Sequence, residues 1–108
     1  MSKPTIAEAV DNIEKLLAVM DNAYWEASSI DKKDCIYSIL SLLHAEHAEL
    51  AKLSIQDHGL PYEPVSSVFK RLQPKLNGLR RNLDDIVVRP QTAQQLELLV
   101  SRVVSMIN

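Results

Sequence analysis

The chain has 108 residues, 46% of them hydrophobic and 24% charged, which is the size and mixture of one globular domain and argues against disorder. A formal charge of −2 excludes a strongly basic protein that coats nucleic acid without sequence preference. The lone cysteine, Cys35, precludes an internal disulfide, and two glycines, Gly59 and Gly78, are too few for a glycine-rich phosphate loop or an all-β chain of tight turns.

The segment "MSKPTIAEAVDN" turns acidic and amphipathic at once, unlike a signal peptide. The first helix is expected from Thr5, because Thr5 and Glu8 have the spacing of a capping box. Ile6, Val10, Ile13, Leu17, Met20 and Tyr24 then recur at steps of four and three, a narrow apolar stripe flanked by Ala9, Leu16 and Ala27. Trp25 lies off that stripe, where it marks a contact surface or covers the next connector. In "SSID", Ser28, Ser29 or Asp31 caps the following helix.

The second helix is expected over residues 31–57, with Gly59 placed for a left-handed terminating residue. Its first half, Cys35, Ile36, Ile39, Leu40, Leu42 and Leu43, is apolar over a wide arc, as in a helix contacted on several sides or serving a dimer interface. The same run is too short and too interrupted to span a bilayer. "HGLPYEP" is a connector, its prolines resisting helix continuation.

A third helix can begin at Pro64, and Val65, Phe69, Leu72, Leu76, Leu79, Leu83 and Ile86 keep one rhythm through it. Because that rhythm holds phase across Pro74, the expectation is one helix kinked at Pro74; breaks near Pro74 or near Asn77-Gly78 are the alternatives. Thr92 and Gln95 are spaced as a capping box for a fourth helix carrying Leu96, Leu99, Val100, Val103 and Ile107. Short connectors favour antiparallel neighbours, so the expected fold is all-α: an up-down four-helix bundle, one domain over residues 1–108.

Charge is segregated. Residues 1–58 carry ten acids against five lysines, whereas residues 64–90 carry six basic residues against Asp84 and Asp85. Attraction between neighbouring helices explains this more simply than a phosphate-facing side, since Lys70, Arg71, Lys75, Arg80 and Arg81 encircle their helix rather than forming a stripe.

The one chemically loaded stretch is "LLHAEHAELAKL", residues 42–53. On a wheel of ~100° per residue, His47 shares the arc of Ile36, Leu40, Leu43 and Leu50 and so points at the core, while His44 lies at its edge. A buried polar group without a partner costs ~1–3 kcal/mol, so His47 needs one. Antiparallel register about Ser29 puts Glu14 level with His44, which makes Glu14, His44 and His47 the candidate polar site. Glu46 and Glu49 are read as flank and surface residues.

Three chemistries compete for that stretch with a purely structural role. Metal binding by Glu14, His44 and His47 has its third ligand only by inference, and no metal or cofactor is expected. The length and helical pattern resemble histidine phosphotransfer domains, which carry an exposed histidine with lysine and glycine three and four residues on. Here His44 is followed by His47 and Ala48, and His47 by Leu50 and Ala51. "AEHAE" and "NLDD" are similar to the carboxylate motifs of MazG-type nucleotide pyrophosphatases, with Ala45 and Asn82 where glutamates stand. That resemblance would imply magnesium, which wants several hard oxygen ligands.

With no motif complete, the expected function is that of a non-enzymatic, cytoplasmic, helical protein–protein interaction module that self-associates as a homodimer, without nucleic-acid or membrane partners. The expected interface lies on the side of the first two helices, through Trp25, Cys35, Ile39 and Leu42. The alternative is a histidine- or carboxylate-based site on the second helix.

Overall fold

A computed structural model describes residues 4–66 and 69–107. Those residues form five α-helices and two 3₁₀ segments: α1 (Ile6–Glu26), α2 (Ile30–Ala51), a 3₁₀ helix at Ile55–Gly59, a 3₁₀ turn at Phe69–Arg71, α3 (Leu72–Arg81), α4 (Leu83–Ile86) and α5 (Pro90–Ile107). Among the described residues there is no β-strand, only an isolated antiparallel bridge between Thr5 and Pro61.

Local chemistry accounts for both ends of α1 and the start of α2. Thr5 Oγ1 accepts from the Glu8 backbone N–H at 3.2 Å and donates to Glu8 Oε1 at 3.3 Å, satisfying one of the free donors at the start of α1. Ser29 caps α2 in the same way, accepting from the Lys32 N–H at 3.2 Å. The α1 C-terminus has no basic residue of its own in its last turn; Lys33 of α2 supplies the charge, its Nζ donating to the Tyr24 carbonyl at 2.8 Å.

Three expected boundaries move. The second helix ends at Ala51 rather than near Asp57, because Ser54 Oγ accepts from the Gln56 N–H at 3.2 Å and starts a separate 3₁₀ helix. Gly59 closes that 3₁₀ helix without a positive φ, so no left-handed terminator is used. The third helix does not begin at Pro64: residues up to 66 are held as a loop, and residues 67 and 68 lie outside the described residues. Pro74 then falls in the first turn of α3, where its missing N–H removes no hydrogen bond, so no kink forms there. The break comes at Asn82, whose backbone leaves the helical region (φ −121°, ψ 23°) and whose Nδ2 donates to the Gly78 carbonyl at 3.0 Å. The fourth expected helix starts two residues early, at Pro90, which suits a first helical turn.

The central helix is α1, which packs against α2 on one side and α5 on another; α3 lies against α2 and α5. Asn12 meets Met106 and Glu26 meets Thr92, so α1 and α5 run antiparallel. The core is built from Ile13, Leu16 and Met20 of α1, Ile36, Ile39, Leu43 and Leu50 of α2, Leu72, Leu76 and Leu79 of α3, and Leu96, Val100 and Val103 of α5, all buried. Burying each such side chain is worth ~1.5–3 kcal/mol. The wide apolar arc of α2, Cys35 excepted, is thereby explained within the chain, since it faces α1, α3 and the Phe69–Arg71 turn together. No helix among the described residues is long and apolar enough to cross a membrane.

Candidate functional site

The histidine stretch splits into three environments. His47 does not enter the core: its side chain is 33% exposed, on the flank of α2, and its Nε2 lies 3.2 Å from Glu14 Oε1 across the α1–α2 contact. Glu14 was expected to meet His44 and instead meets His47, about one helical turn further along α2. His44 is exposed in a different groove, so Glu14, His44 and His47 are not brought together. Among the described residues no group of three or more histidine, cysteine, aspartate or glutamate side chains could hold a metal ion.

The acid that enters the interior is Glu46, fully buried although expected on the flank. Its Oε2 accepts from the Tyr62 hydroxyl and, at 2.9 Å, from the Val65 N–H; its Oε1 accepts from the Ser66 N–H at 2.6 Å. This carboxylate organises the whole connector between α2 and α3. It gathers two backbone donors and a buried phenol at one point, in charge-assisted bonds stronger than neutral ones. Burial, then the hydrogen bond to Glu46 and the negative charges of Glu46 and Glu63, push the Tyr62 phenol far above its ordinary range, so it remains a donor. Tyr62 also packs edge-on against Phe69, ring centroids 6.4 Å apart, and its N–H donates to the Pro4 carbonyl at 2.8 Å. The cluster ties α2, the connector and the chain before α1 together; its groups are saturated by one another.

The accessible feature is an aromatic groove of about 580 Å³ between α1 and α2, lined by Asp21, Tyr24, Trp25, Tyr37, Leu40, Ser41 and His44. Trp25 is 73% exposed and Tyr37 62%, far more than a packing role needs. Tyr24 holds Trp25 edge-on at 5.4 Å between centroids. Lys33 Nζ sits 4.5 Å above the Tyr24 ring and 5.5 Å from the Trp25 ring. These contacts fix the indole at the rim of the groove without covering it.

The four expected interface residues separate. Trp25 projects at the groove rim, whereas Ile39 is core and Leu42 packs half-buried against the core. Cys35 is exposed, but on the α2 wheel of ~100° per residue it lies on the side away from Tyr37 and His44. The expected set lacks Tyr37, which lines the groove; its place on the polar side of α2, with Ser41 and His44 at steps of four and three, was the available signal. The basic segment makes one ion pair across helices among the described residues, Arg80 to Glu97 at 3.2 Å.

No protein-family model matches the chain, and no curated protein or solved structure matches it either.

Proposed function

We propose that this chain is a non-enzymatic, cytoplasmic interaction module that pairs with a second copy of itself through the aromatic groove of α1 and α2. The observation that carries the proposal is the fixed, largely exposed Trp25 beside a groove of about 580 Å³ on the same face. A projecting side chain and a receptor adjacent on one surface make that surface self-complementary: a two-fold axis places each Trp25 in the other copy's groove, and the contact closes at two copies. Tryptophan and tyrosine dominate interface energetics, and Ile30, 76% exposed at the start of α2, extends the apolar area. A standard interface needs ~800 Å² per partner, a modest share of the 6496 Å² surface. The arrangement behind this face is read as one domain in which α1, α2, α3 and α5 run up, down, up and down, so the groove rests on two of its longest helices.

Light scattering at tens of micromolar tests the pairing. The expected mass is twice the 12.2 kDa of one chain, falling to one chain in Trp25→Ser with the fold unchanged. A monomeric wild type overturns the proposal. The histidine alternative retains one observation, the exposed His44 beside Asp21 and Tyr37 in that groove; an acid-labile label from a phosphate donor, lost in His44→Ala, would establish it instead.

A further inference from the structure

On the other flank of Trp25 lies a second cleft, of about 520 Å³, lined by Asn22, Trp25, Glu26, Arg89, Gln91, Thr92 and Gln95. It forms where the last turn of α1 meets the first turn of α5. Glu26 Oε2 accepts from the Thr92 hydroxyl at 3.0 Å, but Glu26 Oε1 is shielded from solvent and has no hydrogen-bond partner. An unpaired buried carboxylate oxygen costs at least as much as a neutral acceptor, ~1–3 kcal/mol, so its persistence beside an open cleft calls for a donor. Arg89 lines the same cleft without pairing to it. Two opposite charges thus border one space, neither with an ionic partner among the described residues, with three side-chain amides and an indole wall between them.

We infer that this cleft binds a small zwitterion, an amino acid in its free form. The α-ammonium is donated to Glu26, whose terminal torsion is soft enough to present Oε1 to the cleft. The carboxylate is held by the Arg89 guanidinium, suited to carboxylate geometry. Asn22, Gln91 and Gln95 complete the polar contacts, and Trp25 supplies the apolar wall against which the side chain lies. A simple amine would leave Arg89 unanswered, and a simple carboxylate would meet Glu26 with like charge; only a ligand carrying both answers both groups.

Trp25 is the sole tryptophan of the chain, so its emission reports the cleft directly. The experiment titrates the protein, and a Tyr37→Ala variant kept dilute enough to be monomeric, with glycine, alanine, leucine and glutamine, and separately with n-butylamine and butyrate. Tyr37 lines only the other groove, so failed pairing and failed ligand binding are told apart. The expected result is a saturable change in Trp25 emission with at least one amino acid, at least tenfold weaker with the amine or the carboxylate alone. Glu26→Gln and Arg89→Gln should each weaken it at least tenfold. Arg89 is exposed, so its variant remains informative should Glu26→Gln fail to fold. Absence of a saturable change with every amino acid, checked by calorimetry, overturns the inference. So does equal binding of n-butylamine, or binding indifferent to Arg89→Gln.

Discussion

Replacing Glu46 with alanine strands a specific set of donors, and the cost can be worked from their surroundings. The Tyr62 hydroxyl loses its only acceptor in a residue that is 1% exposed, so it carries the full penalty of an unpaired buried group, ~1–3 kcal/mol. Val65 is exposed and Ser66 half-buried, so their N–H groups regain water and lose only the net value of each bond, ~0.5–1.5 kcal/mol. The total is ~2–6 kcal/mol, against a stability for a domain of this size of ~5–15 kcal/mol. Urea unfolding should show that loss as a lower midpoint. A cycle with Tyr62→Phe should show coupling of at least ~1 kcal/mol, because the two groups share one bond. A Glu46→Ala protein within ~1 kcal/mol of wild type, or a cycle with no coupling, would refute the view that this carboxylate fastens the connector.

Four further outcomes follow from the same geometry. Stability should fall as pH rises above ~10: folding holds the Tyr62 phenol protonated by burial and by Glu46, the unfolded chain releases that proton, and the contribution is complete below the unfolded value and lost above it. Urea midpoints at pH 9 and 11 check this, and Tyr62→Phe should flatten the alkaline decline. Pro74→Ala should alter stability by less than ~1 kcal/mol, since the residue lies in the first turn of α3, whereas a mid-helix proline would show a gain of ~3 kcal/mol on removal. Glu14→Gln should cost no more than ~1 kcal/mol in the same urea assay, the pair being largely exposed and screened. Leu16→Ala, at a fully buried position of the central helix, should cost ~2–5 kcal/mol.

What the sequence made legible was what depends on neighbours in the chain. The Thr5–Glu8 cap and Ser29, one of three candidate caps, rest on interactions within one turn and appear in the structure. The apolar stripe of α1 appears rotated: Ile6, Ile13 and Met20 are buried, Ala9 and Leu16 from its flank are fully buried, and Val10, Leu17 and Tyr24 are half-buried. What depends on a distant segment was not legible. On the α2 wheel His47 falls within the arc of Ile36, Leu40, Leu43 and Leu50, yet Glu46 is the buried one, because residues 62–66 cross the flank that carries Glu46 and bring three donors that its two carboxylate oxygens accept. The same capture of Val65 and Ser66 keeps the chain after Pro64 out of a helix, so the unbroken rhythm from Val65 to Ile86 misled. That rhythm records which side chains face the core; a loop, a 3₁₀ turn and two helices satisfy it as well as one helix does. The groove escaped notice because Tyr37, Ser41 and His44 sit on the polar side of α2, where an aromatic ring looks like ordinary surface until Trp25 is placed beside it.

Trp25 is also the most direct witness to the proposed pairing, because its own emission depends on whether its ring is wet. Wild-type protein diluted from tens of micromolar to tens of nanomolar should shift its emission maximum to longer wavelength as the indole leaves the partner's groove, with a midpoint set by the dimer dissociation constant. A maximum typical of exposed indole at every concentration would contradict the account.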